Sequence, residues 1–289
     1  MSAESEPNDA HEGIWLARPA AVPTNGISLA VKDLFDTAGL TTTYGSILFA
    51  DHVPVQSAEA VVRLESAGYL NVGKTNLHEF AYGVTSQNPH FGTVPNPIAP
   101  GRTAGGSSGG SAAALAAGLA DAALGTDSGG SIRIPAACCG IVGFKPTYGL
   151  VPLDGCFPLA PTFDHAGPMA RTVAGCTAML TTLVPGFEPE PARSVAVGVA
   201  WDDRCSPLVG NRIREAAALL GAQPVDFPLP PGIGDAFMRE VADVHRDLFA
   251  ESADSYGTNV RAKIERRRED TDAHAAEAAE PRRARGQVT

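Results

Sequence analysis

Two clusters of glycine and serine constrain this chain more than any other feature of its sequence. The first reads GGSSGG at residues 105–110, and the second reads TDSGGSIR at residues 126–133. Each cluster places serine hydroxyl groups among backbone N–H groups that little side-chain bulk covers. A serine nucleophile and the N–H donors of an oxyanion hole require such an arrangement. The clusters therefore predict an enzyme.

The composition sets the broad class of the protein. The chain has 289 residues, of which 44% are hydrophobic and 19% are charged, as in an ordinary soluble globular protein. Its apolar runs are short, and its first residues lack the basic start and apolar core of a signal peptide, so we expect a cytoplasmic protein that does not enter a membrane. The five cysteines follow no metal spacing. Reduced thiols are expected, with no metal and no other cofactor.

The distribution of charge limits the partners that we expect. The formal net charge is −10, and no basic patch interrupts the acidic body of the chain. Such a body repels a phosphate backbone, so direct binding to nucleic acid is not expected. Residues 271–289 mix basic and acidic side chains with alanine. This composition predicts a charged, disordered tail.

Segments typical of strands, helices and glycine loops alternate along the chain. Strands are predicted over residues 27–31, 70–72, 122–125 and 194–200. Helices are predicted over residues 57–67 with Ser57 as N-cap, over 111–120, from about 134 and over 212–220. The alternation favours an α/β fold in which helices cover both faces of a sheet, within one domain.

Residues 68–75 match the phosphate-binding string G-x-x-x-x-G-K-[ST] letter for letter. In a phosphate loop the four intervening residues form an irregular cradle after a strand. Here Gly68 ends a predicted helix, and the residues after it are apolar enough to be the strand itself. We therefore do not expect an ATPase site.

Residues 105–109 also match G-x-S-x-G, the nucleophile elbow of α/β-hydrolases. An elbow serine follows a buried strand directly, whereas residues 96–103 form a proline-rich loop. Later histidines exist that could complete a triad, namely His165, His245 and His274. A serine esterase of the α/β-hydrolase type therefore remains an alternative.

A serine nucleophile can instead use a neutral lysine as its base. The candidates are Lys32, Lys74, Lys145 and Lys263. Lys32 follows the apolar strand 27–31, which would carry it into the interior, where desolvation lowers the pKa of an ammonium group. It could also simply pair with Asp33 at the edge of the sheet. The residue pattern alone leaves both interpretations open.

The residues around the two clusters closely resemble the amidase signature family, which includes the GatA-type subunits of amidotransferases. The run from Gly105 to Arg133 carries most of the resemblance. It continues in AVKD at residues 30–33, in GKTN at residues 73–76 and in DHAGPMARTV at residues 164–173. The family places its base, bridging serine and nucleophile in the same chain order as Lys32, Ser107 and Ser131.

The resemblance implies a role for each of these residues. Ser131 is then the nucleophile, and Ser107, after a cis peptide bond to Gly106, relays its proton to neutral Lys32. Backbone N–H groups form the oxyanion hole, contributed by Ser128, Gly129, Gly130 and Ser131. Three residues hold the two loops in place, namely Ser108, Asp127 and Arg133. Lys74 is then a structural lysine.

The implied reaction is hydrolysis of a small-molecule carboxylic amide through an acyl-enzyme, without metal or cofactor. A GatA-like glutaminase subunit of a tRNA-dependent amidotransferase, which would need partner subunits, is an alternative. His78 favours a stand-alone amidase, since GatA-type proteins usually have an acidic residue there, and such an amidase could be a homodimer.

Family members are typically longer than this chain. The resemblance therefore implies an amidase signature domain over residues 1–270, with a mixed β-sheet core flanked by helices on both faces and an incomplete C-terminus. A truncated, catalytically inactive fragment is a further alternative.

Overall fold

The computed structural model describes residues 11–21, 25–190, 195–228 and 231–267. The strands are β1 (Trp15–Ala17), β2 (Ile27–Lys32), β3 (Tyr69–Thr75), β4 (Gln87–Asn88), β5 (Gly92–Thr93), β6 (Ala122–Thr126), β7 (Val142–Gly143), β8 (Ala166–Ala170), β9 (Gly198–Val199) and β10 (Gln223–Pro224). The α-helices are α1 (Glu59–Ser66), α2 (Gly109–Ala116), α3 (Arg133–Cys139), α4 (Val173–Leu183), α5 (Pro207–Leu219), α6 (Ile233–Val244) and α7 (Arg246–Ser252). Residues 258–267 are also helical. The predicted tail at residues 271–289 lies outside the described residues.

Six strands form a mixed sheet in the order β1-β3-β2-β6-β8-β7. Strand β2 runs parallel to both β3 and β6, whereas β1, β8 and β7 are antiparallel to their neighbours. The carboxyl ends of β2, β3 and β6 therefore lie at the same edge of the sheet. Both glycine-serine clusters adjoin this edge, since the second begins with Thr126, the last residue of β6, and Ser108 of the first is hydrogen-bonded to Thr126.

Both faces of the sheet are covered, because side chains along each central strand alternate between two hydrophobic clusters. Leu29 and Val31 of β2 belong to a cluster with α1 and α4, and Ala30 between them belongs to a cluster with α2 and α3. Leu124 and Ala123 of β6 divide in the same way. The predicted α/β fold, with a mixed sheet between two layers of helices, is confirmed.

The ends of several helices differ from the sequence prediction. The N-cap of α1 is Ala58 rather than Ser57, whose hydroxyl accepts a hydrogen bond from the Ala38 N–H at 3.0 Å. Ser57 therefore binds the backbone of the loop at Ala38 and does not cap α1. Helix α2 begins at Gly109, inside the first cluster, and ends at Ala116, before the predicted end of the helix.

The described residues fall into two compact units, one formed by residues up to Phe187 and from Phe237 onward, the other by Glu188–Ala236. The second unit contains β9, which pairs in parallel with β10, and α5, which begins with Pro207 in its first turn. Of the predicted strand 194–200, residues 198 and 199 are extended and Ser194 lies outside the described residues. The boundary of the signature domain at residue 270 stays a prediction.

A third hydrophobic cluster lies in the larger unit and holds residues 258–267 in place. Phe80 packs against Phe157, His245 and Tyr256, with ring centres 4.9–5.3 Å apart. Ile264 of the 258–267 helix is buried in the same cluster. This packing sets the position of one wall of the pocket described below. Within the described part of the chain, no helix combines the length and the apolar character needed to cross a bilayer.

Candidate active site

Lys32 is the last residue of β2, and its side chain is completely buried. Its Nζ lies 2.7 Å from the Ser107 Oγ and 2.7 Å from the Thr126 Oγ1. Burial lowers the pKa of Lys32 to about 7, against the attraction of groups that include Cys156 and Asp127. Near neutral pH a large fraction of this lysine is therefore an uncharged amine that can accept a proton.

Lys74, and not Lys32, forms the ion pair with Asp33. This contact decides whether Lys32 pairs with Asp33 or is free to act on a serine. The Nζ of Lys74 lies 3.1 Å from the Asp33 Oδ1, with both side chains fully buried, and 2.8 Å from the Thr42 Oγ1. Burial raises the pKa of Asp33 and lowers that of Lys74, while their mutual attraction opposes both shifts. Asp33 is thus the partner of Lys74, and Lys32 is left to contact the serine.

Residues 68–75 do not form a phosphate loop, as the sequence predicts. Residues 69–75 form strand β3, so Lys74 is part of a sheet and its ammonium group is directed into a buried ion pair. A phosphate loop needs its lysine at the mouth of an irregular, N–H-lined cradle.

Ser107 is fixed by its own backbone as well as by Lys32. The peptide bond from Gly106 to Ser107 is cis, as the resemblance implies. The Ser107 carbonyl oxygen accepts hydrogen bonds from the His78 N–H and from the Ser86 hydroxyl, both at 3.2 Å. The Ser86 Oγ in turn accepts the Gly109 N–H at 3.1 Å. Sequence reasoning missed Ser86, which lies 21 positions upstream of Ser107 and outside any motif.

The nucleophile-elbow match at residues 105–109 lacks the context of an elbow. Residues 96–106 contain an isolated bridge at Thr103 and no strand. Moreover, the side chain that contacts the Ser107 hydroxyl at 2.7 Å is Lys32, not a histidine. The geometry therefore disfavours the α/β-hydrolase alternative.

The second cluster is organised by the carboxylate of Asp127. Its Oδ1 accepts the Gly130 N–H at 2.6 Å, its Oδ2 accepts the Ile132 N–H at 3.2 Å, and the Arg133 guanidinium binds both oxygens at 2.9 Å. Although burial acts to raise it, these hydrogen bonds hold the pKa of Asp127 below its usual value. The Asp127 carboxylate thus stays ionised at neutral pH and stabilises the loop that carries Ser131.

One of the predicted oxyanion donors is engaged elsewhere. The Gly130 N–H points to Asp127, so the structure does not leave it open to a substrate oxygen, contrary to the prediction. Within the described residues, the N–H groups of Ser128, Gly129 and Ser131 have no hydrogen-bond partner. Gly129 is exposed, and a Cβ there would meet no atom within 4 Å. A substrate could therefore approach this part of the loop closely.

Ser108 connects the two clusters. Its N–H donates to the Ser131 carbonyl oxygen at 3.2 Å, and its hydroxyl donates to the Thr126 carbonyl oxygen at 3.2 Å. The Thr126 N–H returns a hydrogen bond to the Ser108 Oγ at 3.3 Å. Ser108 therefore holds the start of α2 against the end of β6, which fits the supporting role that the resemblance implies.

Asp164 holds Ser128 of the second cluster in place, a contact that the sequence did not reveal. The Ser128 hydroxyl donates to the Asp164 carboxylate. The same carboxylate accepts the N–H groups of Leu159 and Ala160. Burial raises the pKa of Asp164, and these hydrogen bonds oppose the rise.

A pocket of about 660 Å³ opens beside the second cluster. Ser131 and Gly129 line it together with His78 and with residues of the 258–267 helix, Asn259 and Lys263 among them. Its volume is in the range of small-molecule sites. Burial lowers the pKa of His78 to about 4, so this ring is neutral at physiological pH.

A family model described as Amidase matches residues 12–206, more than half of the chain. This chain belongs to the amidase family. A curated relative in the family, the A subunit of glutamyl-tRNA(Gln) amidotransferase from Cupriavidus taiwanensis, is 49% identical over 179 residues, which are 62% of this chain and 36% of that protein. The protein of the same name from Natronomonas pharaonis is 52% identical over 161 residues, or 56% of this chain and 38% of that protein. The chain thus matches less than half the length of these curated relatives.

Solved structures of amidases share the fold. A structure described as an amidase superposes with a TM-score of 0.78 at 38% identity, over 87% of this chain and 61% of its own. The A subunit of glutamyl-tRNA(Gln) amidotransferase from Thermotoga maritima gives 0.73 at 30% identity, over 93% and 65%. The peptide amidase PAM in complex with chymostatin gives 0.66 at 32% identity, over 78% and 53%.

Proposed function

We propose that this chain is an amide hydrolase in which Ser131 attacks the substrate, Ser107 relays protons and Lys32 is the base. The observation that carries the proposal is the buried Lys32, whose Nζ lies 2.7 Å from the Ser107 Oγ and whose pKa is lowered to about 7. A lysine in such an environment can take a serine proton near neutral pH. Membership of the amidase family supports the choice of an amide as substrate.

The proposed reaction begins as the Ser131 Oγ attacks the amide carbon. Its proton passes to the Ser107 Oγ, whose own proton passes to the Lys32 Nζ. The negative charge that develops on the substrate oxygen is stabilised by open N–H groups of the loop, those of Ser128, Gly129 and Ser131. We leave Gly130 out of this set because its N–H is bound to Asp127.

The tetrahedral intermediate then collapses. The Lys32 ammonium group returns its proton through Ser107 to the leaving nitrogen, the C–N bond breaks, and ammonia or an amine departs from an acyl-Ser131 ester. A water molecule attacks the ester while the same relay takes up its proton. The proton is returned to the Ser131 oxygen, the ester bond breaks, and the carboxylic acid leaves.

A fluorophosphonate probe tests this assignment on the full chain. We expect labelling at Ser131 that disappears in Ser131→Ala and slows strongly in Lys32→Ala, since the probe needs an activated serine. Ser28→Ala is a matched control, because this serine lies on the same strand as Lys32 but its hydroxyl contacts Asp121. Folded protein that is not labelled would refute the proposal. Labelling that survives Ser131→Ala and is lost in Ser107→Ala would favour the α/β-hydrolase alternative.

A second candidate is a glutaminase subunit of a tRNA-dependent amidotransferase. It is supported by the curated relatives, which are A subunits of glutamyl-tRNA(Gln) amidotransferases. Ammonia release from glutamine only in the presence of co-purifying partner subunits would support this role. Ammonia release from simple amides by the chain alone would support the stand-alone amidase, the function that His78 favours.

A further inference from the structure

The pocket that contains Ser131 also contains an ammonium group that the proposed reaction does not use. Lys263, on the 258–267 helix, is about half-buried and lines the pocket. Its Nζ donates to the Tyr82 carbonyl oxygen at 2.7 Å and lies 4.7 Å from the centre of the Tyr82 ring. Since an ammonium group has three N–H donors, these two contacts leave a donor for a ligand.

In the part of the chain that the structure describes, no carboxylate neutralises Lys263. Among the described residues, none that lines the pocket is Asp or Glu, and none forms an ion pair with Lys263. His78 adds no charge: its pKa is lowered to about 4, mainly by burial and also by the nearby Lys263. Its Nε2 faces the Asn259 Oδ1 at 3.3 Å, and its Nδ1 faces the Thr85 Oγ1 at 3.4 Å.

Among the residues that the structure describes, the charged group in the lining of this pocket is therefore the Lys263 ammonium group, although the chain as a whole has a net charge of −10. Burial raises the pKa of the neighbouring Tyr82 to about 12, and the charges of Arg267 and Arg266 oppose this rise. Burial lowers the pKa of Lys263 itself, so its charged form is incompletely solvated in the free protein. An anionic ligand would offset that loss of solvation.

We propose that Lys263 determines substrate specificity, and that the pocket selects amides which carry a carboxylate, such as a monoamide of a short dicarboxylic acid. The carboxylate binds the free donor of Lys263 while the amide reaches Ser131. This inference rests on the proposed function for the identity of the reacting group. The attraction between Lys263 and an anion can be measured without any reaction.

Calorimetric binding to the full chain carrying Ser131→Ala tests the inference without turnover. Glutaramate is the anionic ligand, and glutaramide, of nearly the same size, is the neutral one. We expect glutaramate to bind at least tenfold more tightly, and added Lys263→Met to remove this preference while the affinity for glutaramide changes less than twofold. Lys263→Arg should keep the preference. Lys145→Met is the matched control, since Lys145 contacts the Pro146 carbonyl oxygen and does not line the pocket.

Salt dependence gives a second readout that needs no substitution of Lys263. Glutaramate binding should weaken from 50 to 500 mM NaCl, about an order of magnitude in ionic strength, while glutaramide binding stays constant. Equal affinities for the two ligands, or a preference that survives Lys263→Met, would overturn the inference. Parallel activity assays of the protein with Ser131 intact keep the two proposals apart. Preferential binding of glutaramate without hydrolysis would refute the proposed hydrolase and support the anion site. Hydrolysis without this preference would support the hydrolase and refute the anion site.

Discussion

The protonation state of Lys32 gives a prediction that can be worked out from the structure. Lowering its pKa from 10.5 to about 7 corresponds to about 5 kcal/mol in favour of the neutral amine. At pH 7 the neutral fraction rises from about 1 in 3,000 to about one half. We therefore expect kcat/KM for a neutral amide to rise with pH and to level off above an inflection near pH 7.

Replacing Thr126 by valine should move this inflection. The Thr126 hydroxyl contacts the Lys32 Nζ at 2.7 Å, and a hydrogen bond to a charged group stabilises it by about 1 kcal/mol more than one to a neutral group. Without the hydroxyl, the ammonium form loses more than the amine form, so the pKa of Lys32 falls further. The inflection in Thr126→Val should lie about 0.7 pH units lower.

The control is the substitution of threonine by valine at the end of β3, the other strand that pairs in parallel with β2. Thr75 is the last residue of β3 and is fully buried, but its hydroxyl contacts the Ser111 Oγ at 2.8 Å rather than a lysine. Thr75→Val should leave the inflection where it is in the unsubstituted protein. The assay is initial ammonia release between pH 5.5 and 9. An inflection that stays in place or rises in Thr126→Val would refute the assignment of Lys32 as the titrating base.

Two further predictions concern residues that support the site. Lys74→Met leaves the buried Asp33 without its partner, so urea unfolding should show a loss of about 3–5 kcal/mol; this loss should shrink at acidic pH, where Asp33 takes up a proton, and a loss below about 1 kcal/mol would contradict a structural role. Asp164→Asn weakens the support of Ser128, so fluorophosphonate labelling of Ser131 should slow about tenfold with an unchanged circular dichroism spectrum. An unchanged labelling rate would show that Asp164 does not position the loop.

The regular elements of the sheet were largely predictable because their signals are local. Strand β2 and strand β6 lie within a residue of their predicted ends, since apolar runs bounded by polar or glycine residues identify buried strands. The predicted N-cap of α1 was wrong because a serine hydroxyl can accept a hydrogen bond from any nearby N–H group. The Ser57 hydroxyl accepts one from the Ala38 N–H. Helix α5 begins at Pro207, five residues before the predicted start, because a proline is favoured in a first turn.

Only those residues of the candidate site that belong to a recognisable motif were predictable from the sequence. The contact of Lys32 with Ser107 follows from the resemblance, but no spacing rule indicated Thr126 as the second partner of the lysine. Ser86 and Asp164 act through hydrogen bonds to residues 21 and 36 positions away. Such contacts depend on how the loops fold back over the sheet, and local sequence patterns do not record that.

The position of Lys32 at the end of β2 ties chemistry to the register of the sheet. Its two hydroxyl partners come from segments 75 and 94 positions further along the chain, and β2 reaches β6 by parallel pairing. Because side chains alternate between faces, a slip of one residue between these strands would turn Lys32 away from both serine clusters. Because Thr126 is the last residue of β6, Lys32 reaches its hydroxyl only after β2 and β6 have paired, and pairings between segments this far apart form slowly. Recovery of activity in a refolding experiment thus reports correct strand pairing, which collapse and helix content do not.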